Sequence, residues 1–100
     1  MTHREFKPLL AQGELPKTQI KRILCGPEQT IAITQKSEVY VCGFNNLQQL
    51  GALKEVRIVQ LTLAKDLTNH KLTQICLSDS ASYGINNTGD LFTWGPKSIE

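Results

Sequence analysis

Shifted by 52 residues, which carries Ile23 onto Ile75, the chain matches itself without a gap, and nothing else in it constrains the fold as much. ILCGPEQTIAITQKSEVYVCG, from Ile23 to Gly43, lies over ICLSDSASYGINNTGDLFTWG, from Ile75 to Gly95. Identity is sparse: Ile23 with Ile75, Ile33 with Ile85 and Gly43 with Gly95. What persists is the order of apolar, small and glycine positions: Thr30 meets Ser82, Ala32 meets Gly84, Val39 meets Leu91 and Tyr40 meets Phe92. Upstream, Leu9 falls over Leu61, Glu14 over Asp66, Leu15 over Leu67 and Ile20 over Leu72. A period of this size is the mark of propellers and solenoids, whose units bury their apolar faces against one another.

Each unit reads as β-structure. IAIT sets Ile31 and Ile33 against the smaller Ala32 and Thr34, and VYVC is β-branched and aromatic, both at strand length. Between them, Gln35 to Glu38 in one copy and Asn86 to Asp90 in the other supply polar hairpin turns. Gly89 takes positive φ without cost, which Ser37 does not, so the first turn is expected to be the looser. Further strands are predicted at Ile20 to Cys25, at its counterpart Leu72 to Leu77, and at Val56 to Leu63. Pro8 and Pro16 confine the N-terminal segment to edges and loops.

After the second apolar strand the first copy runs Gly43, Asn45, then Gln49-Leu50-Gly51. Two strands, a turn, an aromatic-glycine end and this segment resemble the regulator of chromosome condensation repeat. The first copy carries the resemblance at Gly26, Thr30, Ala32, Ile33, Val39, Tyr40, Gly43, Asn45, Gln49, Leu50 and Gly51. The second does so at Ser82, Gly84, Ile85, Gly89, Leu91, Phe92, Trp94 and Gly95. The chain departs from the family pattern where Gln29 and Ala81 stand for its histidine, Gln48 for the glycine of G-Q-L-G, and Ser37 for the hairpin glycine. Pro96-Lys97-Ser98 takes the place where a second N-x-x-G-Q-L-G would start.

The resemblance implies an all-β fold of antiparallel sheets, about two blades of a seven-bladed β-propeller, hence an incomplete ring. The expected division is residues 1–19 as an N-terminal strand or tail completing a blade, 20–51 as the first repeat core, and 52–100 as connecting segment and second, truncated repeat. Gly26, Gly43, Asn45, Gln49, Leu50, Gly51, Gly89, Trp94 and Gly95 are the expected structural repeat positions. Gly43 is expected to end a strand near the hub of a ring, where a glycine lets neighbouring backbone come close, and Leu47 and Leu50 to pin the following loop to the core. Two blades leave open apolar faces. The chain is accordingly expected to be a piece of a longer propeller or to assemble with other copies, with a small sandwich that mimics the repeat as the alternative.

Site chemistry is sparse. His3 and His70 have no Cys or carboxylate cluster at metal-ligand spacing, and Asp79-Ser80 has no histidine to serve as base. No G-x-x-x-x-G-K loop is present. Catalytic, cofactor-binding and metal residues are therefore expected to be none. Trp94, Tyr40 and Phe92 read as core before hot spot. The loop Ala52 to Glu55 and the polar stretch Lys65 to Lys71 are the expected surface for a partner.

Eleven Lys and Arg against nine Asp and Glu, a net charge of +2, are spread without a basic run, so nucleic acid is not an expected ligand. Apolar runs fall far short of the roughly 20 residues of a membrane span. MTHREFKPLL shows no secretory pattern, and Cys25, Cys42 and Cys76 lack C-x-x-C spacing, so buried free thiols are expected in the cytoplasm or the nucleus. The function expected is a non-enzymatic protein-interaction module bound through propeller loops. The alternative that the resemblance implies is a guanine-nucleotide exchange factor or regulator acting on a small GTPase.

Overall fold

The structure, a computed structural model, describes residues 19–51, 54–78 and 80–95. The N-terminal strand or tail expected at 1–19 thus lies outside the described residues except for Gln19, as do Pro8, Pro16, Ala52, Leu53 and Asp79. Four strands form one antiparallel sheet: β1 (Ile20–Cys25), β2 (Gln29–Thr34), β3 (Val39–Phe44) and β4 (Arg57–Leu63), in spatial order β1-β2-β3-β4. A short helix, α1 (Lys65–Asn69), leads to a second sheet of β5 (Leu72–Cys76), β6 (Ser82–Asn86) and β7 (Leu91–Trp94), in order β5-β6-β7. Among the described residues the two sheets form no closed ring. β4 follows Gly51 in sequence yet is the outer strand of the first sheet.

The repeat holds at the level of hydrogen-bonded register. Ile23 faces Ala32 and Leu24 faces Ile31 in the first sheet; Ile75 faces Gly84 and Cys76 faces Tyr83 in the second. Ala32 faces Tyr40 and Ile33 faces Val39, as Gly84 faces Phe92 and Ile85 faces Leu91. Even the irregularity between Ile20 and Arg22 recurs between Leu72 and Gln74. Side-chain alternation fixes register in this way because a one-residue slip would turn every apolar side chain to the opposite face.

The first hairpin is not the looser one. Ser37 takes φ +64° and Gly89 φ +89°, and both turns close alike: the Ser37 amide donates to Thr34 O (3.0 Å) and the Gly89 amide to Asn86 O (3.1 Å). Thr34 Oγ1 accepts from the Lys36 and Glu38 amides; Asn86 Oδ1 accepts from those of Thr88 and Asp90. A side-chain acceptor at the same place thus does in both turns what a glycine alone was expected to do.

One core joins the sheets. Ile31, Ile33, Val39, Val41 and Ile58 from the first sheet meet Leu72 and Ile75 from the second and Leu77 just after β5, with Leu50, Ala64 and Leu67 between them and Phe92 and Trp94 packed at its margin. Ile31, Val39, Val41 and Leu50 are wholly shielded, each contributing about 1.5–3 kcal/mol by burial. The opposite face of the first sheet carries a smaller cluster of Ala32, Tyr40 and Leu61. Helix α1 occupies what reads in sequence as a polar surface stretch; Leu67 is buried and the helix docks beside β3, where Thr68 Oγ1 accepts from the Val39 amide at 2.9 Å.

Two further expectations change. Cys25 and Cys76 are exposed and Cys42 is half-buried, because β1 is an edge strand and Cys76 pairs with Tyr83, on the face of the second sheet turned away from the first. Leu47 is half-buried and lies outside the core, leaving Leu50 to anchor its loop.

Candidate functional site

Of the residues singled out by the repeat, Gly26, Leu50 and Trp94 meet at the seam between the sheets, and the others shape strand ends and turns. Gly43 (φ +115°) stands one residue before the end of β3, where the turn from β1 to β2 crosses it; a Cβ there would overlap the Glu28 carbonyl and stand 2.8 Å from Gln29 Cα. The close neighbour is backbone of the same sheet, and two bonds hold it: the Phe44 amide donates to Glu28 O (3.2 Å), and Gln29 Nε2 donates to Phe44 O (3.0 Å). Gln29 is buried, and its Oε1 also accepts from the Glu28 amide. Gly95 (φ +111°) repeats the crossing with more room, since a Cβ there would stand 3.3 Å from Ala81 Cα. Gly26 packs face to side with the other sheet, since a Cβ there would come within 2.9 Å of Leu77 Cβ.

The segment from Asn45 to Gly51 folds around its own side chains. Asn45 Oδ1 accepts from the Leu50 amide (2.9 Å), its Nδ2 donates to Glu55 O (3.3 Å), and its amide donates to Val56 O (2.6 Å). Gln49 Oε1 accepts from the Leu47 amide at 3.0 Å. Gln48 takes φ +57° and Gly51 φ +95°, which swings Leu50 into the core. The Gln49 carbonyl then accepts from Trp94 Nε1 at 2.8 Å, a bond across 45 residues that ties the loop of the first sheet to the last strand of the second. Gly89 sits apart at its hairpin tip with open space around it.

Beside this seam lies a cleft of about 280 Å³ bordered by Gly51, Leu67, Leu72, His70, Phe92 and Trp94. His70 stands edge-on to Phe92, ring centroids 4.7 Å apart, with Nδ1 2.8 Å from Asp66 O. At the hairpin ends Lys36, Ser37, Thr68, Asn69, Lys71 and Asn87 border a second hollow of about 460 Å³. Among the described residues no three His, Cys, Asp or Glu side chains converge as metal ligands would, and no helix is long and apolar enough to cross a membrane. His3 and Asp79 lie outside the described residues. Sequence reasoning missed α1, the seating of Gln29 and the Trp94 bond; only Ala64 and Leu67, spaced three apart in a polar run, hinted at the helix.

No protein-family model matches the chain. Protein RCC2 of Mus musculus is 25% identical over 83 residues, taking in 81% of this chain and 16% of that protein. The secretion-regulating guanine nucleotide exchange factor of Bos taurus is 29% identical over 76 residues, 76% of this chain and 16% of that protein. In structure, yeast RCC1 (Prp20), solved with Kap60 bound, superposes with a TM-score of 0.67 at 16% identity, over 83% of this chain and 21% of that one. In sequence and in fold the chain is similar to proteins of the regulator of chromosome condensation repeat type. Human WBSCR16 gives the same fold at a TM-score of 0.64 and 24% identity, over 84% of this chain and 21% of its own. The two sheets are thus two blades of a propeller of this type, and the chain spans about a sixth of the length of the two sequence relatives and about a fifth of the two solved structures. Within the repeat, Gln29 fills the family's histidine position by tying the β1–β2 turn to the end of β3. Gln48 and Ser37 hold positive φ at two family glycine positions.

Proposed function

We propose that this chain is a non-enzymatic protein-interaction module, two blades of a propeller of the regulator of chromosome condensation type, acting in the cytoplasm or nucleus. One observation carries the reading: the second ladder repeats the first pair by pair while the tips differ, Lys36-Ser37 in one and Thr88-Gly89 in the other. Strands committed to packing leave recognition to the connections they hold in place. The rim bordered by Lys36, Asn69, Lys71 and Asn87 offers two ammonium groups and amide side chains to a protein surface of acidic and polar character.

The second reading, regulation of a small GTPase, is favoured by the relatives named as exchange factors. A panel of small GTPases separates the two when both binding and nucleotide release are measured. Binding without faster release, weakened about tenfold by joint Lys36→Glu and Lys71→Glu substitution, is the expected result. Accelerated release by the chain would establish the exchange reading instead, and binding indifferent to both reversals would move the interface off this rim.

A further inference from the structure

The outer side of β7 pairs with no strand among the described residues, whereas its counterpart β3 carries β4 there. The cleft of about 280 Å³ beside Phe92 lies along that bare side, lined by Leu67, Leu72 and Trp94. In the first sheet the equivalent place is filled. β4 lays Leu61 against Ala32 and Tyr40, the residues that the 52-residue shift carries onto Gly84 and Phe92. The cleft therefore has the form of a socket for a fourth strand bearing an apolar side chain at the place of Leu61.

The same shift names a sequence for it. Moved back by 52, Arg57–Leu63 becomes Glu5 to Ala11, EFKPLLA. The buried positions of β4, Ile58 and Leu61, become Phe6 and Leu9; the exposed Val59 and Gln60 become Lys7 and Pro8. Proline falls where β4 can accept it, because Gln60 lies in the irregular stretch of the β3–β4 register and has no ladder partner.

Direction decides whose strand it is. β4 leads through α1 into β5, yet belongs to the sheet before that of β5. By the same relation, a strand leading into β1 would belong to a sheet preceding the first, on the side of Ile23, Ala32 and Tyr40. The second sheet of the same copy lies on the opposite side, against Ile31, Ile33, Val39 and Val41. We propose that residues 5–11 of one copy complete the second sheet of another, adding antiparallel to β7 with Leu9 in the cleft, so that the chain assembles head to tail.

The faces brought together repeat the packing within a copy. Tyr83, Ile85 and Leu91 are the shifted equivalents of Ile31, Ile33 and Val39, and Ile85 and Leu91 stand 41% and 65% exposed. They would meet Ile23, Ala32 and Tyr40 of the next copy, the equivalents of Ile75, Gly84 and Phe92, on which the first sheet already packs. An added strand gains main-chain hydrogen bonds at the edge and specificity from its side-chain pocket. Such a contact is heterologous, closing into a ring or running on as a filament.

This inference is independent of the loop partner proposed above, and its test leaves that rim intact. Light scattering of the full chain over a concentration series should give masses at multiples of 11.2 kDa. Leu9→Asp should weaken association at least about tenfold with unchanged circular dichroism. A labelled peptide of residues 3–12 should then bind the Leu9→Asp chain, whose cleft is intact and whose own strand is disabled, while the same peptide carrying Leu9→Asp should not. A wild-type chain that stays monomeric at all concentrations overturns the proposal. So does peptide binding indifferent to the Leu9→Asp change.

Discussion

The two sheets hold the same ladder and differ in what lies on either side of it. Val39 of the first is wholly buried, while Leu91, its equivalent in the second, is 65% exposed; Ile33 is 3% exposed and Ile85, the same residue type at the same register, 41%. Strand identity comes from alternation and turns, but burial comes from neighbours. Among the described residues, the first sheet has another sheet on one face and a fourth strand at its edge, and the second has only the one shared face. In a repeat protein, stability is therefore a property of seams between units as much as of units.

The pair of isoleucines offers the sharpest way to break this comparison. Ile33→Ala is expected to cost about 3–4 kcal/mol, and Ile85→Ala under about 1 kcal/mol in dilute solution, both read from denaturant midpoints. Equal losses would mean that Ile85 is covered even in a single copy. Next comes the crossing glycine. Gly43→Ala meets backbone of Glu28 and Gln29 at φ +115° and is expected to cost about 3 kcal/mol, more than Gly95→Ala, which meets Ala81 and Ser80 with more room. A reversed order would place the tighter crossing in the second sheet.

Smaller effects sharpen the contrast. Ser82 Oγ is buried without a hydrogen-bond partner, so Ser82→Ala should be neutral or raise stability by about 1 kcal/mol, seen as a Tm higher by several degrees. A clear loss would show that the hydroxyl is satisfied. Smallest is the exchange of turn residues: Ser37→Gly should gain about 0.5 kcal/mol by relieving φ +64°, and Gly89→Ser should lose a similar amount.

Much of this was legible in the residues. Alternation in IAIT and VYVC located β2 and β3, and the shift carried both onto β6 and β7 with correct register. Leu50 was legible as the anchor of its loop because an apolar residue between polar amides and a glycine has one stable place to go. The helix was not, since five residues from Lys65 to Asn69, entered from Ala64 without a side-chain cap, give no period to detect. The close backbone approach at Gly43 was legible, but not that the β1–β2 turn of the same sheet makes it, because that turn is placed by hairpin geometry. The exposure of Cys25 and Cys76 turned on which faces lack a neighbour, and apolar sequence context carries no such information. The bond from Trp94 to Gln49 joins segments whose closeness only the docked sheets create.

That bond also turns the molecule into its own gauge. The chain contains one tryptophan, and its indole is held half-buried at the seam with its N–H committed to a carbonyl of the other sheet. Its fluorescence is thus an optical signal of docking rather than of strand formation. Emission should move to longer wavelength when the sheets part, ahead of any loss of β-signal if the seam opens before the ladders melt, and together with it if the two repeats stand or fall as one.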